Sequence, residues 1–199
     1  MRTAVLLALF SGSVAAGGFG QGHEQHGRKC GDAHHYRWAQ KTDASLADET
    51  AISVDLLQIL ETWAAPQLPA DDWCAPRQGN EHHVYRVVGW VRVVRHEVDL
   101  DWHIELTATA TGSLKRCIIA EIPRIKYSPL FQSARESLST YLGNSEVDSR
   151  GHVTPPVQLR FVGAAFFDGW HLTHGNHGDC NVQPGGLWEL HPVFRVEMP

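Results

Sequence analysis

The stretch CIIAEIPRIKYSPLFQSARESLSTYLG, residues 117–143, decides the fold. Cys117 to Ile122 reads as a short strand rich in β-branched residues, and Pro123 ends it because proline has no N–H for a sheet ladder. A helix follows. Ser128 is its N-cap, Pro129 takes the first helical position, and Gly143 stops it. Leu130, Ala134, Leu138 and Tyr141 recur at helical spacing and predict its buried stripe.

Upstream of this stretch the apolar period is two. Val84 to Val94 is a long β-branched run with Gly89 in its middle, and a glycine inside a strand often marks a sharp bend such as a barrel corner. Asp99 to Thr107 alternates. Asp99, Asp101, His103 and Glu105 share one face, and Leu100, Trp102, Ile104 and Leu106 the other. Downstream, Val157 to Phe167 is apolar on both faces, and Leu187 to Met198 alternates Trp188, Leu190, Phe194 and Val196 with Glu189, His191, Arg195 and Glu197. The order is therefore strand, strand, strand, helix, strand, strand. That order matches the OB-fold, a five-stranded β-barrel whose helix lies between the third and fourth strands. The expectation is a mainly β protein with an OB-like barrel over 81–199, and an open α+β sheet is the alternative.

Residues 30–80 are expected to pack on the barrel rather than fold alone. Ile52, Leu56, Ile59, Leu60 and Trp63 predict a helix over Asp48 to Trp63, stopped by Pro66, before a loop rich in Pro, Asp and Gly from Ala65 to Asn80. The first residues read differently. Met1-Arg2, an apolar run from Ala4 to Phe10 and the small residues Val14-Ala15-Ala16 make a secretory signal peptide over 1–16. This run is well short of the roughly 20 apolar residues of a membrane span. Residues 17–29, rich in Gly, His and Gln, read as a flexible tail. The mature chain is thus expected to be secreted or periplasmic in a bacterium, with no membrane span.

Cysteine usage agrees with export. Cys30, Cys74, Cys117 and Cys180 are scattered, with no C-x-x-C pair, and four cysteines in an oxidising compartment allow three pairings. Cys30–Cys74, both in the N-terminal segment, and Cys117–Cys180 are favoured. The paired spacing of a cysteine zinc site is absent. With 43% hydrophobic and 20% charged residues the chain is globular, and its formal charge of −5 disfavours a protein that coats nucleic acid through basic residues.

Polar residues set inside strands carry whatever chemistry the sequence offers. Asp101 and His103 share a face, Glu121 interrupts an Ile-rich strand, Asp168 and His171 follow the fourth strand, and Glu189 and His191 share a face of the fifth. Carboxylates and imidazoles suit a divalent metal ion or acid–base chemistry. Alternating polar residues also arise wherever one strand face meets water. Glu189 and His191 also read as a hydrogen-bonded structural pair, with Pro192 at a bulge or edge. The Gly-rich loop carrying His171, His174, His177, Asp179 and Cys180 resembles a metal-binding tract, and reads equally as a surface loop tethered by Cys180. Nucleophile elbows and phosphate-cradling loops are missing.

Four motifs in order resemble those of a family of uncharacterised exported bacterial proteins: DLDWHI at 99–104, IAEIP at 119–123, G-x-x-FFD-x-x-H within 163–171 and ELHPV at 189–193. The early RWAQKT at 37–42 and the helix after it are similar as well. Family members usually continue His-Gly-Gln where this chain has His171-Leu172-Thr173. The resemblance implies the fold, and marks Asp101, His103, Glu121, Asp168, His171, Glu189 and His191 as positions without assigning them an activity.

Two functions follow as expectations. In the first, the chain is a binding module for an extracellular ligand such as an oligosaccharide, peptide or oligonucleotide. It would use the face of the second and third strands, with Asp101, His103, Asp168 and His171 as contacts and Trp90, Trp102, Trp170 and Trp188 as possible stacking surfaces, although Trp102 and Trp188 fit the core better. In the second, it is a metal-dependent hydrolase, a phosphodiesterase or nuclease. Asp101, His103, Glu189 and His191 would then hold the ion, Glu121 would act as general base, and Arg116, Arg124 or Arg195 would neutralise a phosphate. A purely structural envelope protein is a third reading.

Overall fold

The computed structural model describes residues 30, 36–68, 72–175, 177–182 and 184–199. The expected signal peptide over 1–16 and the tail over 17–29 lie outside them. Among the described residues the sheet has seven strands, β1 (Ile52–Ser53), β2 (Val84–His96), β3 (Trp102–Thr107), β4 (Cys117–Ile122), β5 (Glu146–Val147), β6 (His152–Phe167) and β7 (Trp188–Glu197). Four α-helices accompany it, α1 (Trp38–Lys41), α2 (Leu56–Thr62), α3 (Pro129–Leu142) and α4 (His171–His174). The chain is mainly β, and β2, β3, β4, α3, β6 and β7 follow the expected order.

The strands pair in the order β1-β2-β3-β4-β7-β6-β5, and β2 also pairs with β6. All of these pairings are antiparallel except β1–β2 and β4–β7. Gly89 earns its place here, because a Cβ on it would lie 3.0 Å from that of Leu106. Just beyond it β2 gains β3 as a second partner, in the register Trp90 to Thr107. In β7, Leu190 to Val193 face only Ala165 to Gly163, so His191-Pro192 forms the expected bulge. Gly163 permits that close approach, since a Cβ there would meet the Pro192 carbonyl at 2.7 Å.

One face of these strands makes the core. Ile104 and Leu106 of β3, Ile118, Ala120 and Ile122 of β4, and Trp188 and Leu190 of β7 pack there against Phe131, Ala134 and Leu138 of α3. Burying a side chain of this size is worth about 1.5–3 kcal/mol, so this layer fixes which strand face turns inward. The α3 ends are as expected: the Ser128 hydroxyl accepts from Leu130 N at 3.2 Å, and Gly143 follows the last helical residue with φ 54°. Its buried stripe starts one residue later than the spacing predicts. Phe131 is buried and Leu130 is 38% exposed, because the larger ring takes the core position.

The helix predicted over 48–63 is reduced to α2. The Asp55 carboxylate caps Leu57 N at 2.8 Å and so starts the helix at Leu56. Ile52 and Ser53 pair instead with Tyr85 and Arg86 on the free edge of β2. Residues before Trp102 turn rather than extend, with Leu100 at φ 74°.

The N-terminal segment is clamped to the strands. Arg37 and Glu81, both fully buried, pair at 2.7 and 2.9 Å. Arg37 also donates to the Ala75 carbonyl, while Glu81 accepts from Phe167 N at 2.9 Å. Both favoured disulfides are present, Cys30–Cys74 and Cys117–Cys180, with Cα separations of 5.4 and 5.2 Å. Among the described residues no helix is long and apolar enough to cross a membrane.

Candidate metal centre

The polar face of β3, β4 and β7 is buried, not wet. Asp101 and Glu105 are wholly inaccessible, His103 is 5% exposed, Glu121 9%, Glu189 3% and His191 0%. The solvent-face reading of the β3 alternation is therefore wrong for these residues. What covers them is the chain after β6. Gly178, at φ +58°, crosses β3 so closely that a Cβ there would sit 2.8 Å from His103 Nε2. Asp179 N donates to Glu105 Oε1 at 2.9 Å, and the Cys117–Cys180 bond ties this loop to β4.

Register brings the groups together. His103 is the ladder partner of Glu121, and Glu189 of Ile119, so side chains from three strands meet on one face. They form a chain of alternating carboxylates and imidazoles. Glu105 Oε1 lies 3.3 Å from His103 Nε2, and His103 Nδ1 lies 2.9 Å from Glu121 Oε1. Glu121 Oε2 is 3.2 Å from His191 Nδ1, which also lies 3.1 Å from Glu189 Oε2. Glu189 Oε1 ends the chain on His177 Nε2 at 2.7 Å.

Cations flank it. Arg95 pairs with Glu105 at 2.9 Å and with Asp179 at 2.7 Å, and Lys41 of α1 pairs with Asp168 at 2.8 Å. Burial opposes the charged form of Lys41, yet Asp168, Glu189 and Glu121 together raise its pKa. Burial likewise works against charge on His103, but hydrogen bonds to Glu105 and Glu121 outweigh it and push the imidazole up to about 10. His191 rises to about 9 in spite of burial, through the charge of Glu121 and its contacts with Asp101 and Glu189. Burial alone would raise Glu121 and Glu189, but the nearby His191 charge for the first and the Lys41 charge for the second bring both below the usual carboxylate range. Asp101 moves the other way, raised chiefly by burial.

Four buried atoms of this cluster lack a hydrogen-bond partner among the described residues, Glu105 Oε2, His177 Nδ1, Asp101 Oδ2 and His191 Nε2, and the last two lie together. Asp101 Oδ1 accepts from Arg124 N at 2.9 Å, but Asp101 Oδ2 and His191 Nε2 are buried without a hydrogen-bond partner among the described residues. They face each other at 3.5 Å, an ion-pair distance too long for a normal hydrogen bond. Leaving such atoms unsatisfied costs about 1–3 kcal/mol each. Two ligands about 2.0–2.1 Å from a tetrahedral ion stand roughly 3.3 Å apart, so this gap has the width of an ion's ligand edge. Glu121 belongs to the same group: one ligand atom from each of Asp101, Glu121 and His191 lies within 4.8 Å of the others. His191 Nδ1 is anchored by carboxylates, which is how proteins aim the opposite nitrogen at a metal.

Charge favours the same occupant. With Glu105 matched by Arg95 and Asp168 by Lys41, the carboxylates of Asp101, Glu121 and Glu189 face His103, His177 and His191. One imidazolium at His103 and one divalent ion would neutralise these three carboxylates. A third grouping, Glu105 with Cys117 and Cys180, is no ligand set, because both sulfurs are in the disulfide.

The residues singled out in the sequence thus divide. Asp101, His103, Glu121, Glu189 and His191 converge. His103 has both ring nitrogens engaged by carboxylates and serves Glu121 rather than the gap. Asp168 and His171 sit at the rim, where His171 Nε2 lies 4.0 Å from Asp168 Oδ2 and the His171 side chain is 25% exposed. Of the tryptophans, Trp188 is buried as expected, while Trp102 is half-buried between His96 and Arg135. Arg116 and Arg195 are elsewhere, pairing with Glu61 and Glu197. Sequence reasoning gave no site role to Lys41 or Glu105, and named His177 only as a member of the His-rich tract. Lys41 lies in the RWAQKT segment and Glu105 in the β3 alternation, so both carried a signal. Compared with known proteins, the chain matches no family model, no curated protein and no solved structure.

Proposed function

We propose that the protein is an exported bacterial OB-like barrel that binds a divalent transition-metal ion on its β3–β4–β7 face, with Asp101, Glu121 and His191 as ligands. The unpartnered Asp101 Oδ2 and His191 Nε2, buried and facing each other at 3.5 Å beside Glu121, carry this reading. A closed barrel is supported by the β2–β6 pairing, which returns the order β2-β3-β4-β7-β6 to its start. Export is supported by the two disulfides, which persist in an oxidising compartment. One oxygen and one nitrogen at the gap, with a second carboxylate beside them, suit zinc, cobalt or manganese better than calcium, which takes all-oxygen sites. Lys41, Arg95 and His103 hold the surrounding carboxylates so that the ligand atoms stay aimed when no ion is bound.

A second reading keeps the binding module and gives it an organic ligand. One observation favours it: a groove of about 740 Å³ between the ends of β2 and β3, α3 and the β5–β6 hairpin, lined by Arg95, His96, Trp102 and Arg150 among others. An anionic ligand stacked on Trp102 would suit these side chains. Hydrolysis would use the same ion as the first reading and needs a path for substrate to the covered Glu121.

The test is the metal content of the mature protein, purified from an oxidising compartment without a His-tag or chelator. Near-stoichiometric zinc, cobalt or manganese that His191→Ala abolishes supports the metal reading. A folded, metal-free protein that gains no thermal stability from added divalent ions removes it.

A further inference from the structure

The rim of the same face holds a second set of donors. Asp168 follows β6, His171 opens α4, and His177 lies in the covering loop; one ligand atom from each falls within 4.8 Å of the others. The two imidazole rings are 4.9 Å apart. Hydrogen bonding fixes which nitrogen of each ring is free. His171 Nδ1 lies 2.7 Å from the Gly175 carbonyl, which only accepts, so Nδ1 carries the proton and Nε2 keeps a lone pair. His177 Nε2 donates to Glu189 Oε1 at 2.7 Å, so the neutral ring keeps its lone pair on Nδ1. That Nδ1 is buried and has no partner among the described residues, on a side chain only 2% exposed.

Each imidazole therefore has its outer N–H anchored, one by a backbone carbonyl and one by a carboxylate, with the inner nitrogen bare. This is the arrangement by which proteins orient metal-binding histidines. Asp168 Oδ2 also accepts from Lys41 Nζ at 2.8 Å. A carboxylate oxygen has two lone pairs, so Lys41 can steady the carboxylate while the second pair faces the histidines. Asp168 Oδ1 accepts from Trp170 N at 3.2 Å.

We infer that Asp168, His171 and His177 form a second site for a borderline divalent ion such as zinc or cobalt, open to solvent on the His171 side. Two imidazole nitrogens and one carboxylate oxygen are three ligands of a tetrahedral ion, and the exposed side leaves the fourth position to water. The site uses none of the atoms of the Asp101–Glu121–His191 centre, so either can fail alone. Glu189 joins the two, since it contacts both His177 and His191.

The experiment is a titration of the chelator-stripped, untagged mature chain with cobalt(II), read by calorimetry and visible absorption. Wild type, His171→Gln, His171→Ala and His191→Ala are compared, each checked for an unchanged melting temperature in chelator. The rim site requires that both His171 variants lose one equivalent of cobalt, or at least tenfold in its affinity, and that His191→Ala retains that equivalent. Wild type should then bind two equivalents. A single equivalent lost in the His171 variants alone sustains the rim site and removes the inner one. His171 variants that bind as wild type does, or a single equivalent lost only in His191→Ala, overturn the rim site. No cobalt binding by wild type overturns both.

Discussion

Replacing Glu121 with glutamine keeps the side chain's shape and removes one charge from the middle of the buried chain. Glu121 meets His103 Nδ1 at 2.9 Å and His191 Nδ1 at 3.2 Å, and it is 9% exposed. Breaking a buried pair by removing one partner costs about 3–5 kcal/mol. Glutamine can still hydrogen-bond and the imidazoles can shed a proton, so about 2–3 kcal/mol is expected near pH 6–7. For a chain of this size that lowers Tm by roughly 4–12 °C. The pH dependence is more specific. His103 is raised to about 10 from an ordinary 6.5, so its contribution to stability is complete below pH 6.5 and is lost as pH rises towards 10. His191, raised to about 9, adds a loss complete by pH 9. With Glu121 neutral, His103 keeps only Glu105, and the fall in stability between pH 6.5 and 10 becomes shallower. Urea unfolding of both proteins in chelator at pH 6, 8 and 10 measures this. A variant within about 0.5 kcal/mol of wild type at pH 6, or one whose stability falls in parallel with it, would refute the coupling.

Other substitutions probe what surrounds the chain. Gly178→Ala forces a Cβ against Glu105 and His103 at φ +58°, and should cost about 1–3 kcal/mol by urea unfolding; a neutral result would mean the covering loop moves freely. Removing the Cys117–Cys180 bond should cost about 2–4 kcal/mol and speed hydrogen exchange at Asp179 N, which donates to Glu105; unchanged exchange there would show that other contacts hold the loop. Glu81→Ala strands a fully buried Arg37 and should cost about 3–5 kcal/mol, whereas the double change Arg37→Met/Glu81→Leu should recover much of it; equal losses in both would place the clamp's worth in packing, not charge. Zinc at a hundredfold excess over its Kd should add about 2.7 kcal/mol per site occupied in the folded state only, seen as a rise in Tm that His191→Ala reduces.

Where the chain carries its own punctuation, the elements follow from local sequence. Pro123 ends β4, and Ser128-Pro129 and Gly143 bound α3, because caps and prolines act on backbone groups within a residue or two. Where two local solutions compete, sequence did not choose between them. Ile52 fits the apolar stripe of a longer helix, yet it pairs on the edge of β2, because only the folded sheet offers that edge. Leu130 and Phe131 differ by one position in helical phase, and the shape of the core picks the larger ring.

The candidate site divides along the same line. Alternation in β3 and β7 set Asp101, His103 and Glu105, and Glu189 and His191, on common faces, since successive side chains in a strand point to opposite sides whatever lies around them. Alternation is silent on whether that face meets water. Burial came from a loop some 75 residues downstream of His103, and from Lys41, which reaches Asp168 across 127 residues. The meeting of His103 with Glu121, and of Glu121 with His191, required strand register. Sequence by itself therefore determined which residues share a strand face. The tertiary structure alone decided that those faces are enclosed and that their charges must answer one another, because desolvation and ion pairing depend on neighbours far apart in the chain.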